Sequence, residues 1–73
     1  MKSVVITSKE PMKVEMAKNW LTIIEDENAI DKFHVEEKQT NVIWSFSNEC
    51  DANFVARVFM NDKTFGFEYV KRG

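Results

Sequence analysis

The chain has 73 residues, of which 44% are hydrophobic and 30% charged, with two Gly and one Pro; this composition excludes a linker or a disordered tail. A chain of this length is one α+β domain, residues 1–73, in which nearly all large apolar residues are needed inside. A net charge of −2 and a pI near 5.3 argue against a general nucleic-acid binder, whose affinity rests on Lys and Arg neutralising phosphates, and favour a protein or small-molecule partner.

Val4, Val5 and Ile6 form a β-branched run that reads as a strand, followed by Thr7 and Ser8 as cap candidates, Glu10 for a first turn and Pro11 where a helix start tolerates it. Val14, Ala17, Trp20, Leu21 and Ile24 then recur at helical spacing, with Glu15, Lys18, Asn19, Thr22, Glu25 and Asp26 on the opposite arc. Phe33 and Val35 alternate with His34 and Glu36, and Val42, Trp44 and Phe46 alternate with Ile43, Ser45 and Ser47. Two strands joined by a turn around Lys38 to Asn41 fit this pattern. Asn48 or Asp51 caps a second helix with Ala52, Val55, Ala56 and Phe59 on one face and Val58 at its margin. In the tail, Phe65, Phe67 and Tyr69 alternate with Gly66, Glu68 and Val70, which predicts a last strand.

The order predicts a ferredoxin-like split βαβ fold (βαββαβ), an antiparallel four-stranded sheet with two helices on one face. The first and third strands would be central. The second, "DKFHVEEK", carries the charge that an edge strand needs to avoid pairing with other chains. Strand parity assigns Phe33, Val35, Val42, Trp44, Phe46, Phe65, Phe67 and Tyr69 to the face under the helices. A nucleic-acid-binding sheet of this topology needs its aromatics on the open face instead.

No catalytic constellation emerges. Glu36 and Glu68, with His34 and Ser45, share the open face, yet the two glutamates fall on opposite edges of the sheet, too far apart for a dyad. His34 has no second ligand at metal-binding spacing, and no phosphate-loop, nucleophile-elbow or paired-cysteine motif is present. The protein therefore reads as no enzyme, with no cofactor and no metal. Cys50 is the single cysteine and forms no internal disulfide, and the apolar run Val4 to Ile6 is too short for a leader or a membrane span. A cytoplasmic location with no membrane partner follows as the expectation.

Partner-binding candidates come from two features. Glu25, Asp26 and Glu27, with Asp31, crowd the end of the first helix, where negative charge opposes the helix dipole and can serve to dock a basic partner. Met16, Ile23, Phe54 and Met60, with Met12, sit at the margins of the two apolar helix stripes and form a candidate adaptable surface. Lys2 is expected near Lys71 and Arg72, as a small basic spot. A homodimer is the route by which so small a chain would assemble a composite cleft.

"FVARVFMNDKTFGFEYVKRG", residues 54–73, resembles the C-terminal part of the Dmd-like antitoxins of T-even-like phages in its Ala/Val/Phe-rich helix, its "DK" turn, a final strand and an Arg-Gly end. The resemblance implies an early phage protein that binds and blocks a host defence factor such as an RNase toxin, acting in the host cytoplasm. It assigns no functional residues. The expected function is thus a small non-catalytic protein that binds and modulates or inhibits another protein, with an RNA- or nucleotide-binding ferredoxin-like domain as the alternative.

Overall fold

The structure is a computed structural model that describes residues 2–8, 10–39 and 41–73. Its elements are β1 (Ser3–Thr7), α1 (Pro11–Asp26), β2 (His34–Glu37), β3 (Asn41–Ser45), α2 (Glu49–Asn61) and β4 (Tyr69–Arg72), and the strands form one antiparallel sheet in the order β2-β3-β1-β4. This is the α+β, ferredoxin-like arrangement, with the apolar β1 and β3 in the centre and the exposed, charged β2 at an edge.

Register follows from which face must be buried. Val4 pairs with Trp44, Ile6 with Val42, and all four are buried under the helices, so a slip of one residue would turn the whole apolar set to solvent. Phe46 lies just past β3, remains buried, and donates its N–H to Lys2 O at 2.8 Å. From above, α1 contributes Ala17 and Leu21 and α2 contributes Ala52, Val55, Ala56 and Phe59.

The helix starts differ from one another. Asn48 is the N-cap of α2, its Oδ1 accepting from Asp51 N at 2.8 Å, so Asp51 is the residue capped and not the cap. Neither Thr7 nor Ser8 caps α1, contrary to expectation. Glu10 occupies the cap position, Ser8 Oγ accepts from Glu10 N at 3.2 Å, and the Thr7 hydroxyl is drawn across to the Asn41 side chain of β3. The turn between β2 and β3 is closed by Lys38 N donating to Asn41 O at 2.7 Å; Thr40 lies outside the described residues.

The last strand corrects the parity reading most clearly. Pairing begins only at Tyr69, opposite Thr7, because Gly66 adopts φ +57 and breaks the extended run. Phe65 and Phe67 are therefore core rings delivered by a turn and not by a strand. They stack at 5.7 Å with nearly parallel planes. Val70 pairs with Ile6 and faces the core, whereas Tyr69 falls on the open face, 55% exposed, and not on the covered face.

Phe59 joins these parts. Its ring lies 5.3 Å from Trp44, 5.9 Å from Trp20, 5.2 Å from Phe65 and 5.1 Å from Phe67, so sheet, both helices and the C-terminal turn meet on one side chain. Trp44 beside it is fully buried, and its indole Nε1 finds no acceptor among the described residues. Such an orphan donor costs about 1–3 kcal/mol. Phe59→Ala is expected to lower stability by about 3–5 kcal/mol in urea unfolding. Trp44→Phe, which removes the orphan N–H together with part of the ring, is expected to cost less than about half of that; equal losses would show that the indole N–H is satisfied.

Candidate functional site

The apolar and acidic features predicted for partner binding lie on the helix layer, and the fold sorts them. Met12, Met16 and Ile23 follow one another at spacings of four and seven residues, so they form a single stripe along α1. Met12 is 79% exposed and Ile23 56%. Trp20 is half-buried between this stripe and the core, and its ring approaches Phe54 of α2 at 6.1 Å, which carries the exposed apolar surface across the seam between the helices.

Met60 does not join it. Seven residues before it on the same flank of α2, Asn53 Oδ1 accepts from Arg72 Nε at 3.1 Å, which turns that flank toward β4 and away from α1. The structure thus brings together Met16, Ile23 and Phe54 of the predicted set, adds Met12 at its most exposed point, and separates Met60.

Glu25, Asp26 and Glu27 stand at the C-terminal end of α1, as expected, with no basic residue in its last turn. The helix closes without a cation. Asn28 takes φ 62, its N–H donating to Glu25 O at 3.0 Å while Ala29 N donates to Ile24 O at 2.9 Å, so a left-handed Asn ends the helix where Gly is more usual. The fold then adds to the expected Asp31 an acid that the linear sequence does not place there, Asp51. Asp51 at the start of α2 accepts from Asp31 N at 3.0 Å, and Asn48 Nδ2 bridges to both Asp31 and Asp51 at 3.1 Å. Only the antiparallel pairing of β2 and β3, which sets the end of α1 beside the start of α2, makes this cluster. Among the described residues no lysine forms an ion pair with Glu25, Asp26 or Glu27.

The antiparallel β1–β4 pairing behind the expected basic spot is present, and it sorts the last two cations by face. Lys71 is on the open face opposite Val5, whereas Arg72 turns to the covered face opposite Val4, where it donates to Ser3 O at 2.6 Å and pairs with Glu49. Lys2 Nζ is taken by Ser47 O at 3.2 Å.

A cleft of about 480 Å³ opens between the end of β1, the start of α1 and the turn after β2, floored by Val14 and Val42 and rimmed by Thr7, Ser8, Glu37 and Lys38. Among the described residues, both carboxylates that line it, Glu15 and Glu37, pair with Lys18. Glu37 Oε1 accepts from Lys18 Nζ at 3.0 Å, and this bond, reinforced by the Glu15 charge, raises the Lys18 pKa above the ordinary lysine value and keeps the amine protonated and non-nucleophilic. Glu36 and Glu68 stay apart: Glu36 is on β2, while Glu68 precedes β4 at the opposite edge and donates its N–H to Thr7 O. Among the described residues no group of three or more His, Cys, Asp or Glu side chains is placed to hold a metal ion, and no helix is long and apolar enough to cross a membrane. No family model, curated protein or solved structure is significantly similar to the chain.

The acids at the end of α1 oppose its dipole, so Asp26→Lys and Glu27→Lys are each expected to raise stability by about 0.3–1 kcal/mol at low ionic strength. Paired urea titrations with and without added salt would measure this. The gain should shrink in salt, and a loss of stability in either variant would mean that the carboxylates are structurally engaged.

Proposed function

We propose that this protein is a small non-catalytic binding protein that attaches through the outer face of its helix layer to a basic segment of another protein and so modulates or inhibits it. The observation that carries this reading is the company of Met12, Met16, Ile23 and Phe54 in solvent, in a 73-residue domain whose stability depends on burying such side chains. Flexible methionines beside one exposed ring suit a surface that adapts to a partner's side chains. The carboxylates of Glu25, Asp26 and Glu27, standing where they weaken their own helix, supply the charge that attracts a basic segment.

The resemblance of residues 54–73 to the Dmd-like antitoxins favours an inhibitor encoded by a phage, with an RNase toxin or a related host defence factor as its target in the host cytoplasm. One observation favours a nucleic-acid reading instead: Tyr69 is exposed on the open sheet face, beside Lys71. A single aromatic on an acidic molecule is little to set against phosphate repulsion, and oligonucleotide binding at low salt is expected to be undetectable.

The test uses the intact protein as bait in cells of its native host, compared with the double variant Ile23→Asp/Phe54→Asp and with Asp26→Lys/Glu27→Lys. One stoichiometric protein partner should be recovered by the wild type, be lost with the first pair, and be retained less tightly at low salt with the second. Circular dichroism must show both variants folded. A partner retained equally by all three chains, or none recovered by the wild type, would sink the reading.

A further inference from the structure

The open face of the sheet carries a row of four residues that is complementary to itself. In strand order β2, β3, β1, β4, the register aligns Glu36 with Ile43, Ile43 with Val5, and Val5 with Lys71. These four alternate with Trp44, Val4, Val42, Ile6 and Val70 of the helix side, and with Val35, which has that register but stays exposed at the edge, so they share the face away from the helices. Glu36 and Lys71 are exposed at the two ends, and Ile43 and Val5 form the half-buried centre. Across the sheet the row reads acid, apolar, apolar, base.

Of the symmetric ways in which two sheets meet face to face, two keep the strands of the copies aligned, and the row chooses between them. A two-fold axis running across the strands lays every strand on its own copy, which sets Glu36 on Glu36 and Lys71 on Lys71. A two-fold axis parallel to the strands, between β3 and β1, lays β2 on the second copy's β4 and β3 on its β1. Each Glu36 then meets the other copy's Lys71, and each Ile43 meets the other copy's Val5. The contact is isologous and closed, and both charge pairs form at once.

We propose that the protein forms a transient homodimer through this open face, with Glu36 of each copy paired to Lys71 of the other across an Ile43–Val5 centre. The narrow face puts the interface at the small, weak end of specific contacts, and the pairs are salt-sensitive because they lie at its rim. Small neighbours favour close approach: Ser45 and Ser3 flank the centre on one side and Thr7 and Asn41 on the other. The proposal does not depend on the helix layer, which stays free and would be presented twice by such a dimer.

Sedimentation equilibrium of the full chain from micromolar to millimolar concentration, in low salt, tests it. A concentration-dependent monomer–dimer equilibrium is expected, with Glu36→Lys and Lys71→Glu each weakening the dimer by about tenfold or more, and the double reversal Glu36→Lys/Lys71→Glu restoring it to within about threefold. Both residues are exposed, so these variants should fold as the wild type does. A wild type that stays monomeric throughout, single reversals without effect, or a double variant no better than the singles would overturn the proposal. So would a dimer abolished by Phe54→Asp but indifferent to Glu36 and Lys71, since that result assigns self-association to the helices.

Discussion

The structure depends on one ring. Phe59 is the point at which a strand side chain, a side chain from the other helix and two residues of the C-terminal turn converge, all at centroid distances between 5.1 and 5.9 Å. Edge-to-face and tilted aromatic pairs of this kind add to the free energy of simple burial, by about 0.5–1.5 kcal/mol each. In a domain too small for a second core, that convergence lets the segment after α2 fold back without regular structure of its own. It also explains why Trp20, Trp44, Phe65 and Phe67 are unavailable for stacking on the open face, where Tyr69 stands exposed.

The convergence shows where sequence reasoning succeeds and where it stops. Alternation in β3 was legible because Val42, Trp44 and Phe46 repeat at the period of a pleated strand and face a single helix layer, whereas the continuous apolar run of β1 marked a central strand without showing its parity. The same alternation in residues 65–69 misleads, because a glycine with positive φ can pass two aromatics into the core from a turn while keeping the spacing of a strand. One misplaced boundary then reverses Tyr69 from inward to outward. At the start of α1, the residues with good capping chemistry were visible but their competition was not: Thr7 is drawn to Asn41 by the β1–β3 pairing, a contact between residues 34 apart in sequence.

The surface features divide in the same way. Exposure of Met16, Ile23 and Phe54 could be anticipated because each lies at the margin of a helical stripe, and the register of one helix is contained in its own sequence. The same register puts Met60 on the other margin of α2 from Phe54; that this margin faces β4 and not α1 could not be anticipated, since it shows only once Arg72 bonds Asn53. Likewise Glu25 to Glu27 and Asp31 are close in the chain, but Asp51 is brought to Asp31 only through strand pairing.

The two faces of this small domain are chemically unlike, and the difference bears on how they can act. The helix layer offers large, flexible apolar groups with acids at one end, the combination that the proposed attachment to a basic segment requires. The open sheet face is arranged differently. Its acid and base lie at opposite edges, so the surface most complementary to it is its own copy, turned about the strand direction. Because the sheet stands between the two layers, neither contact blocks the other. On the two proposals together, a chain of 73 residues would hold a target with its helices while gaining, through its sheet, the avidity that a single small interface lacks.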